Sequence, residues 1–161
     1  MILMEIAHRL GLQEIDNAGW RVLGKLPSGL TIALQVRKGT HVEVSVFPYR
    51  IPYGVSDFHA REEWNKQTTQ IKIATSKGEE KIVNEINKRL DFENLIRCSN
   101  LFKDALAEHQ KSANESLNLA NTLKEACFLN NADVRSSSSS PHDHTITVYP
   151  NNKDSYYKIG F

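Results

Sequence analysis

Residues 71–90 read IKIATSKGEEKIVNEINKRL and join a predicted strand to a predicted helix. The first five residues alternate apolar and polar side chains, as a strand with one buried face does. Ile82, Ile86 and Leu90 then recur every four residues, which places them on one buried face of a helix. Ser76 stands three residues before Glu79, and this capping-box spacing predicts that Ser76 caps the helix. The stretch therefore predicts a sheet with helices packed against it.

The residues before this stretch predict an N-terminal helix and an antiparallel meander. Ile2, Ile6 and Leu10 repeat every four residues, and Gly11 offers a place for the helix to end. Apolar side chains then alternate with polar ones over 30–36 and over 42–46, and a shorter strand begins at 20. Turn residues separate these segments, so the strands are expected to be neighbours with one face toward water.

Residues 48–67 give a weaker pattern that leaves two readings open. Prolines and a glycine break regular structure, and four aromatic side chains are spread over the segment. One reading is a loop packed over the edge of the sheet, and the other is an exposed aromatic loop that binds a partner.

The second half of the chain predicts a long helix followed by a short β segment. Asp91 or Asn94 could begin the helix, which would run to about residue 127. Leu106, Ala113, Ala120 and Leu123 would allow a close helix–helix contact, either within the chain or in a homodimer. A serine linker at 136–141 is expected to precede a C-terminal hairpin at 144–161.

Together these patterns predict one α+β domain over residues 1–161. An N-terminal helix and sheet would occupy 1–75 and a helical segment 76–130, with an antiparallel meander of four to six strands against the helices. A chain of 161 residues with 40% apolar composition can bury a core of this kind.

The charge is balanced along the whole chain. Twenty basic and nineteen acidic side chains give a net charge of +1, and no segment carries a basic excess. General nucleic-acid binding is therefore not expected. Cys98 and Cys127 have no CxxC partner, and the first residues show neither a signal peptide nor a membrane span. These features favour the cytoplasm.

Candidate catalytic and metal-binding residues are few. His142, Asp143 and His144 resemble part of a metal site, but no further ligands follow at zinc-like spacing, and a solvated run is favoured. A metal-dependent nuclease of the PD-(D/E)xK class would need carboxylates and a lysine, and Asp57, Gln70 and Lys72 are the candidates. The sequence contains none of the common phosphate-loop, nucleophile-elbow, zinc-protease or dinucleotide motifs. We therefore expect a protein without catalytic activity or a cofactor.

Basic and aromatic side chains form the candidate partner-binding set. Basic residues near one end of the predicted meander could contact an acidic partner, although turns favour such residues in any case. The aromatic residues come from the segment 48–67. The full set is Arg37, Lys38, Tyr49, Arg50, Tyr53, Phe58 and Trp64.

The strand and helix at 71–90 resemble a segment found in small uncharacterised proteins of bacteriophages and plasmids. In those proteins the helix also leads into a long polar helix and a short C-terminal β segment. This chain departs from them after Leu90, where Asp91-Phe92-Glu93 follows. The resemblance brings no catalytic residues and implies a mobile genetic element in a bacterial cell. By analogy with anti-CRISPR proteins, it implies a protein that binds and blocks a host complex such as a CRISPR effector. A nucleic-acid-binding accessory protein is the remaining alternative.

Overall fold

The computed structural model describes residues 2–126, 132–136, 144–148 and 157–160. The chain forms two compact units, one of Met1–Ile51 with Asp57–Ala105 and the other of Pro52–Ser56 with Leu106–Phe161. The class is α+β, as the sequence predicts. The expectation of a single domain stays a prediction.

The first unit contains a five-stranded antiparallel sheet. Its strands are β1 (Gln13–Asn17), β2 (Arg21–Lys25), β3 (Thr31–Arg37), β4 (His41–Phe47) and β5 (Gln70–Ala74), and they lie in sequence order. The predicted meander is thus confirmed, and β1 adds an edge strand that the sequence analysis missed. The other elements of this unit are α1 (Ile2–Arg9), α2 (Phe58–Asn65), α3 (Glu79–Arg89) and the first part of α4 (Phe92–Ala126).

One face of the sheet forms the core. Ile32 and Leu34 of β3 lie opposite Val46 and Val44 of β4, and all of them are buried. Helices α1 and α3 pack against this face, and Cys98 on α4 is also buried in the same cluster. The opposite face carries mostly polar and charged side chains and is called the open face below, because alternate residues of a strand point to opposite sides.

The predicted capping box at Ser76 is wrong. Thr75–Lys77 form a single 3-10 turn, and Gly78 is the residue before the first turn of α3. Gly78 has φ 77°, a conformation that suits glycine, and its carbonyl accepts the N–H of Ile82 at 3.0 Å. Because no side chain caps this helix, Glu79 and Glu80 in the first turn supply the favourable charge instead.

Segment 48–67 is neither wholly packed nor wholly exposed. It contains the helix α2, which was not predicted, and Ala60 and Trp64 are its buried residues. Phe58, by contrast, is 80% exposed. The segment is therefore partly buried and partly exposed, and binding of a partner by its exposed part stays a prediction.

Helix α4 runs unbroken over 35 residues. Asp91 precedes it and accepts the N–H of Asn94 at 3.1 Å, which confirms Asp91 as its start. The polar stretch at 112–121 is helical, and Ala120 is fully buried. A homodimer through this helix stays a prediction.

The second unit also contains a three-stranded antiparallel sheet. Strands β7 (His144–Val148) and β8 (Tyr157–Gly160) pair as the predicted hairpin. Strand β6 (Ala132–Ser136), which was not predicted, pairs with β7, so the hairpin belongs to its own sheet. Ser136, assigned to the serine linker, is the last residue of β6, and the rest of the linker at 137–141 lies outside the described residues. Over the described part of the chain, no helix is long and apolar enough to cross a membrane.

Candidate binding groove

A groove of about 1060 Å³ lies within the first unit and extends along β2 to the end of the sheet where β2 turns into β3. The β2–β3 turn and the segment after β4 line it together with α2 and α4. Its charged lining residues are Glu14, Arg21, Lys25, Arg50, Asp57, Arg61 and Lys103. We call this feature the basic groove, because five basic and two acidic residues give its lining a charge of +3.

The two carboxylates of the basic groove are already paired. Glu14 forms an ion pair with Lys25 across neighbouring strands. Asp57 accepts hydrogen bonds from Nε of Arg61, one turn further along α2, at 2.7 and 2.6 Å. The hydrogen bond to Asp57 raises the pKa of the Arg61 guanidinium above its usual value. These pairs cancel two of the five positive charges.

Three cations of the groove have no carboxylate partner among residues 2–126. They are Arg21 on the open face of β2, Arg50 in the segment after β4, and Lys103 on α4. We call them the uncompensated cations. These three cations give the groove its positive charge. The net charge of the whole chain, which is only +1, does not reveal this local excess.

Aromatic side chains form both the wall and the floor of the groove. Phe47 and Tyr49 line the wall and are 44% and 37% exposed. Trp64 and Phe102 are buried at the floor, with their ring centroids 6.3 Å apart and the rings nearly perpendicular at 82°. The groove therefore offers an apolar surface beside its positive charge.

Two contacts hold Tyr49 in the wall. Its backbone N–H donates a hydrogen bond to the hydroxyl of Ser99 on α4 at 2.8 Å. The ammonium of Lys103 lies 5.6 Å from the centroid of the Tyr49 ring, within the range of a cation–π contact. Lys103 also donates to the backbone carbonyl of Ser28 at 3.3 Å, which links α4 to the β2–β3 turn.

The structure separates the predicted partner-binding residues. Tyr49, Arg50 and Trp64 line the basic groove, with Trp64 in its floor. Arg37 and Lys38 do not line the groove, although Arg37 lies only two residues beyond Gln35, which pairs with the groove residue Arg21. Phe58 is highly exposed and does not line the groove, and Tyr53, in the second unit, is also highly exposed.

Four basic residues of the groove were missed by the sequence analysis. Arg21 and Lys25 alternate with buried residues on β2, and this strand pattern could have placed both on the open face. Arg61 follows Asp57 at the i,i+4 spacing of a helical ion pair, but α2 was not predicted. No local pattern marks Lys103, which reaches the groove only through the packing of α4.

The nuclease candidates do not come together as the sequence suggested. Asp57 is paired with Arg61 and lines the groove, whereas Gln70 and Lys72 lie on β5 outside it. The carboxylate beside them is instead Glu43 of β4, which lies opposite Lys72 and accepts a hydrogen bond from the side-chain amide of Gln70. Glu43 is buried, and its Oε2 lies 2.7 Å from Nε of Arg37, although the two are not aligned as a hydrogen bond.

The remaining candidates for metal binding or cysteine chemistry lie largely outside the described residues. His142 and Asp143 are outside them, as is Cys127, and only the strand position of His144 is described. Within the described part of the chain, no group of three or more histidine, cysteine, aspartate or glutamate residues could hold a metal ion.

Comparisons with models of protein families, with curated proteins and with solved structures each find no match to this chain. The function is therefore argued from the geometry and charge of the basic groove.

Proposed function

We propose that this protein is a non-catalytic protein-binding module whose main contact surface is the basic groove. The observation that carries the proposal is the meeting of the uncompensated cations with the exposed faces of Phe47 and Tyr49. Protein-binding surfaces are enriched in arginine and aromatic side chains, and an unpaired cation contributes most when a partner supplies the opposite charge.

The biological setting we propose is a bacterial cytoplasm containing a mobile genetic element. The resemblance of residues 71–90 to small phage and plasmid proteins supports this setting. In it, the protein would bind a host defence nuclease complex, such as a CRISPR effector, and block its action as an anti-CRISPR protein does. This step is an analogy with those proteins.

Affinity purification from a bacterial lysate tests the proposed binding function. We expect the tagged chain to retain one complex in a constant molar ratio, and a fresh preparation should recover the same complex. Recovery of nothing beyond abundant carrier proteins would contradict the binding function.

A transformation assay tests the inhibitory role separately. Cells that carry an active CRISPR effector take up a targeted plasmid poorly. We expect expression of this protein to raise transformation to the level of a matched plasmid without the target. An unchanged efficiency, with the protein present in soluble form, would contradict the inhibitory role and leave the binding function standing.

The alternative of a metal-dependent nuclease has one observation in its favour. Glu43, Gln70 and Lys72 lie on adjacent strands of the open face, which is where such an enzyme needs a carboxylate and a lysine. The residues do not fit a Mg²⁺ site, however. Glu43 is the single carboxylate of this cluster, and its two oxygens already face the amide of Gln70 and the guanidinium of Arg37.

A cleavage assay with Mg²⁺ and a panel of DNA and RNA substrates decides this alternative. We expect no cleavage above that of a mock purification. Cleavage that disappears in both Glu43→Ala and Lys72→Ala would establish the nuclease and overturn the non-catalytic proposal.

A further inference from the structure

We infer that the basic groove binds an acidic peptide segment of its partner protein, with carboxylates against the uncompensated cations and an apolar side chain against the aromatic wall. This inference rests on the proposed protein-binding function and adds the chemistry of the partner. Its support comes from the charges of the groove, from an unsatisfied polar atom and from the exposed aromatic rings of the wall.

The charges of the groove are the first line of support. Glu14 and Asp57 are paired with Lys25 and Arg61, so among residues 2–126 no carboxylate of the groove is left to contact the three uncompensated cations. An arginine that meets a carboxylate can form two parallel hydrogen bonds, and these charge-assisted bonds are about twice as strong as neutral ones. A ligand with two or three carboxylates would therefore complement the groove.

An unsatisfied polar atom in the groove is the second line of support. The hydroxyl oxygen of Ser28 is buried and has no hydrogen-bond partner within the described residues. Ser28 lines the groove in the β2–β3 turn, and its own carbonyl accepts from Lys103. A hydroxyl can donate one hydrogen bond, so after rotation of the Ser28 side chain toward the groove a carboxylate bound at Lys103 would supply the acceptor that Ser28 lacks.

The exposed aromatic rings are the third line of support. Phe47 is apolar and nearly half exposed, and it lies on β4 beside Tyr49 and the uncompensated Arg50. Burial of its exposed area would favour binding of a ligand that carries an apolar group next to its charges. An acidic peptide with an apolar side chain has this combination, and a simple inorganic anion does not.

A peptide fits the groove better than a nucleic acid does. Glu14 and Asp57 both line the groove and hold Lys25 and Arg61 in ion pairs, so these two cations are not free to contact phosphates. Three uncompensated cations are also few, because proteins that depend on the phosphate backbone commonly make about 6–10 such contacts. A peptide can instead place its carboxylates only where the cations lie.

A peptide-display selection on the immobilised full-length protein tests this inference. A library of random twelve-residue peptides is selected in 150 mM salt on three proteins. These are the wild type, the groove variant Arg21→Gln/Arg50→Gln, and the control variant Lys38→Gln/Lys88→Gln, which removes the same charge at exposed positions outside the groove. Thermal unfolding verifies that each variant is folded, and Arg50→Gln alone, at an exposed site, serves as a second groove variant.

We expect the wild type and the control to enrich peptides rich in aspartate and glutamate that carry an apolar residue, and the groove variants to lose this enrichment. A selected peptide should bind the groove variant at least tenfold more weakly. Three results would overturn the inference: no acidic enrichment on the wild type, equal enrichment on the groove variants, or tighter binding of a twelve-nucleotide oligo-dT than of the best peptide. Each of these results could occur while affinity purification still recovers a protein complex, so failure of this inference is distinguishable from failure of the proposed function.

Discussion

The hydroxyl of Ser99 on α4 accepts a hydrogen bond from the backbone N–H of Tyr49 at 2.8 Å, and this contact anchors the segment after β4 to the helix. Ser99 is buried, whereas Tyr49 and its neighbour Arg50 are exposed. One buried side chain thus fixes the backbone from which the aromatic wall and one uncompensated cation project.

The first prediction concerns this anchor. We expect Ser99→Ala to lower the free energy of unfolding by about 1 kcal/mol, because the Tyr49 N–H loses its acceptor in a partly buried place. Urea denaturation measures the change. Ser112→Ala at an exposed position on the same helix is the control and should be neutral or slightly stabilising. Equal results for the two variants would show that the anchor contributes nothing.

The second prediction compares two phenylalanines. Phe102 is buried against Trp64, so Phe102→Ala should cost about 3–5 kcal/mol of unfolding free energy through lost burial and the cavity left behind. Phe58→Ala removes the same atoms from a side chain that is 80% exposed and should change stability by less than about 0.5 kcal/mol. Chemical denaturation of both variants checks the pair. A large loss in Phe58→Ala would contradict the assignment of Phe58 to the free surface.

The third prediction separates the two contacts of Glu43. Its partner Arg37 is 63% exposed, so water screens that ion pair, whereas the hydrogen bond from Gln70 is partly buried. Glu43→Gln keeps an acceptor for Gln70 and should change the unfolding free energy by about 0.5 kcal/mol or less, whereas Glu43→Ala should cost about 1–2 kcal/mol. Glu108→Ala, at an exposed site on α4, is the control. Equal losses in Glu43→Gln and Glu43→Ala would mean that the charge matters more than the hydrogen bond.

The fourth prediction concerns acid. The backbone N–H of Asn94, and then its side-chain amide, donate to the Asp91 carboxylate and lower the Asp91 pKa below its ordinary value of 3.8. A group with a depressed folded-state pKa stabilises the protein fully above the ordinary value and loses that contribution as the pH falls through the lower one. Asp91→Asn keeps a good capping residue that does not titrate. We therefore expect the wild type to lose melting temperature between pH 5 and pH 2 more steeply than Asp91→Asn, and parallel curves would contradict the cap.

The sequence was sufficient to predict the strands in which burial of one face produces a regular alternation of apolar and polar residues. Apolar and polar side chains alternate over 30–36 and 42–46 because one face of β3 and β4 is buried and the other carries mostly polar side chains. This periodicity predicts a hairpin directly. The periodicity fails for the edge strand β1. Ile15 is its only partly buried residue, and the pairing register shifts between Gln13 and Asp16. It also fails for α2, where two buried residues in eight are too few to show a helical period.

The basic groove could be predicted only in part. Tyr49 and Arg50 were identified because aromatic and basic residues are conspicuous in an irregular segment. The uncompensated charge could not be derived, because it depends on which cations find carboxylates after folding. Lys25 pairs with Glu14 because β2 pairs with the irregular edge strand β1. Lys103 contacts Ser28, which lies 75 residues earlier in the chain.

The central claim, that the basic groove is the surface that binds the partner, is tested most directly by quantitative affinity purification with two charge-matched variants. Arg21→Glu/Arg50→Glu reverses two cations in the groove, and Lys38→Glu/Lys88→Glu reverses two exposed cations outside it. Both variants change the net charge by the same amount, and thermal unfolding verifies that both are folded. We predict that the wild type and the second variant recover the same complex in equal yield and that the groove variant loses it. Undiminished recovery by the folded groove variant, or loss of the complex from the second variant alone, would contradict the claim.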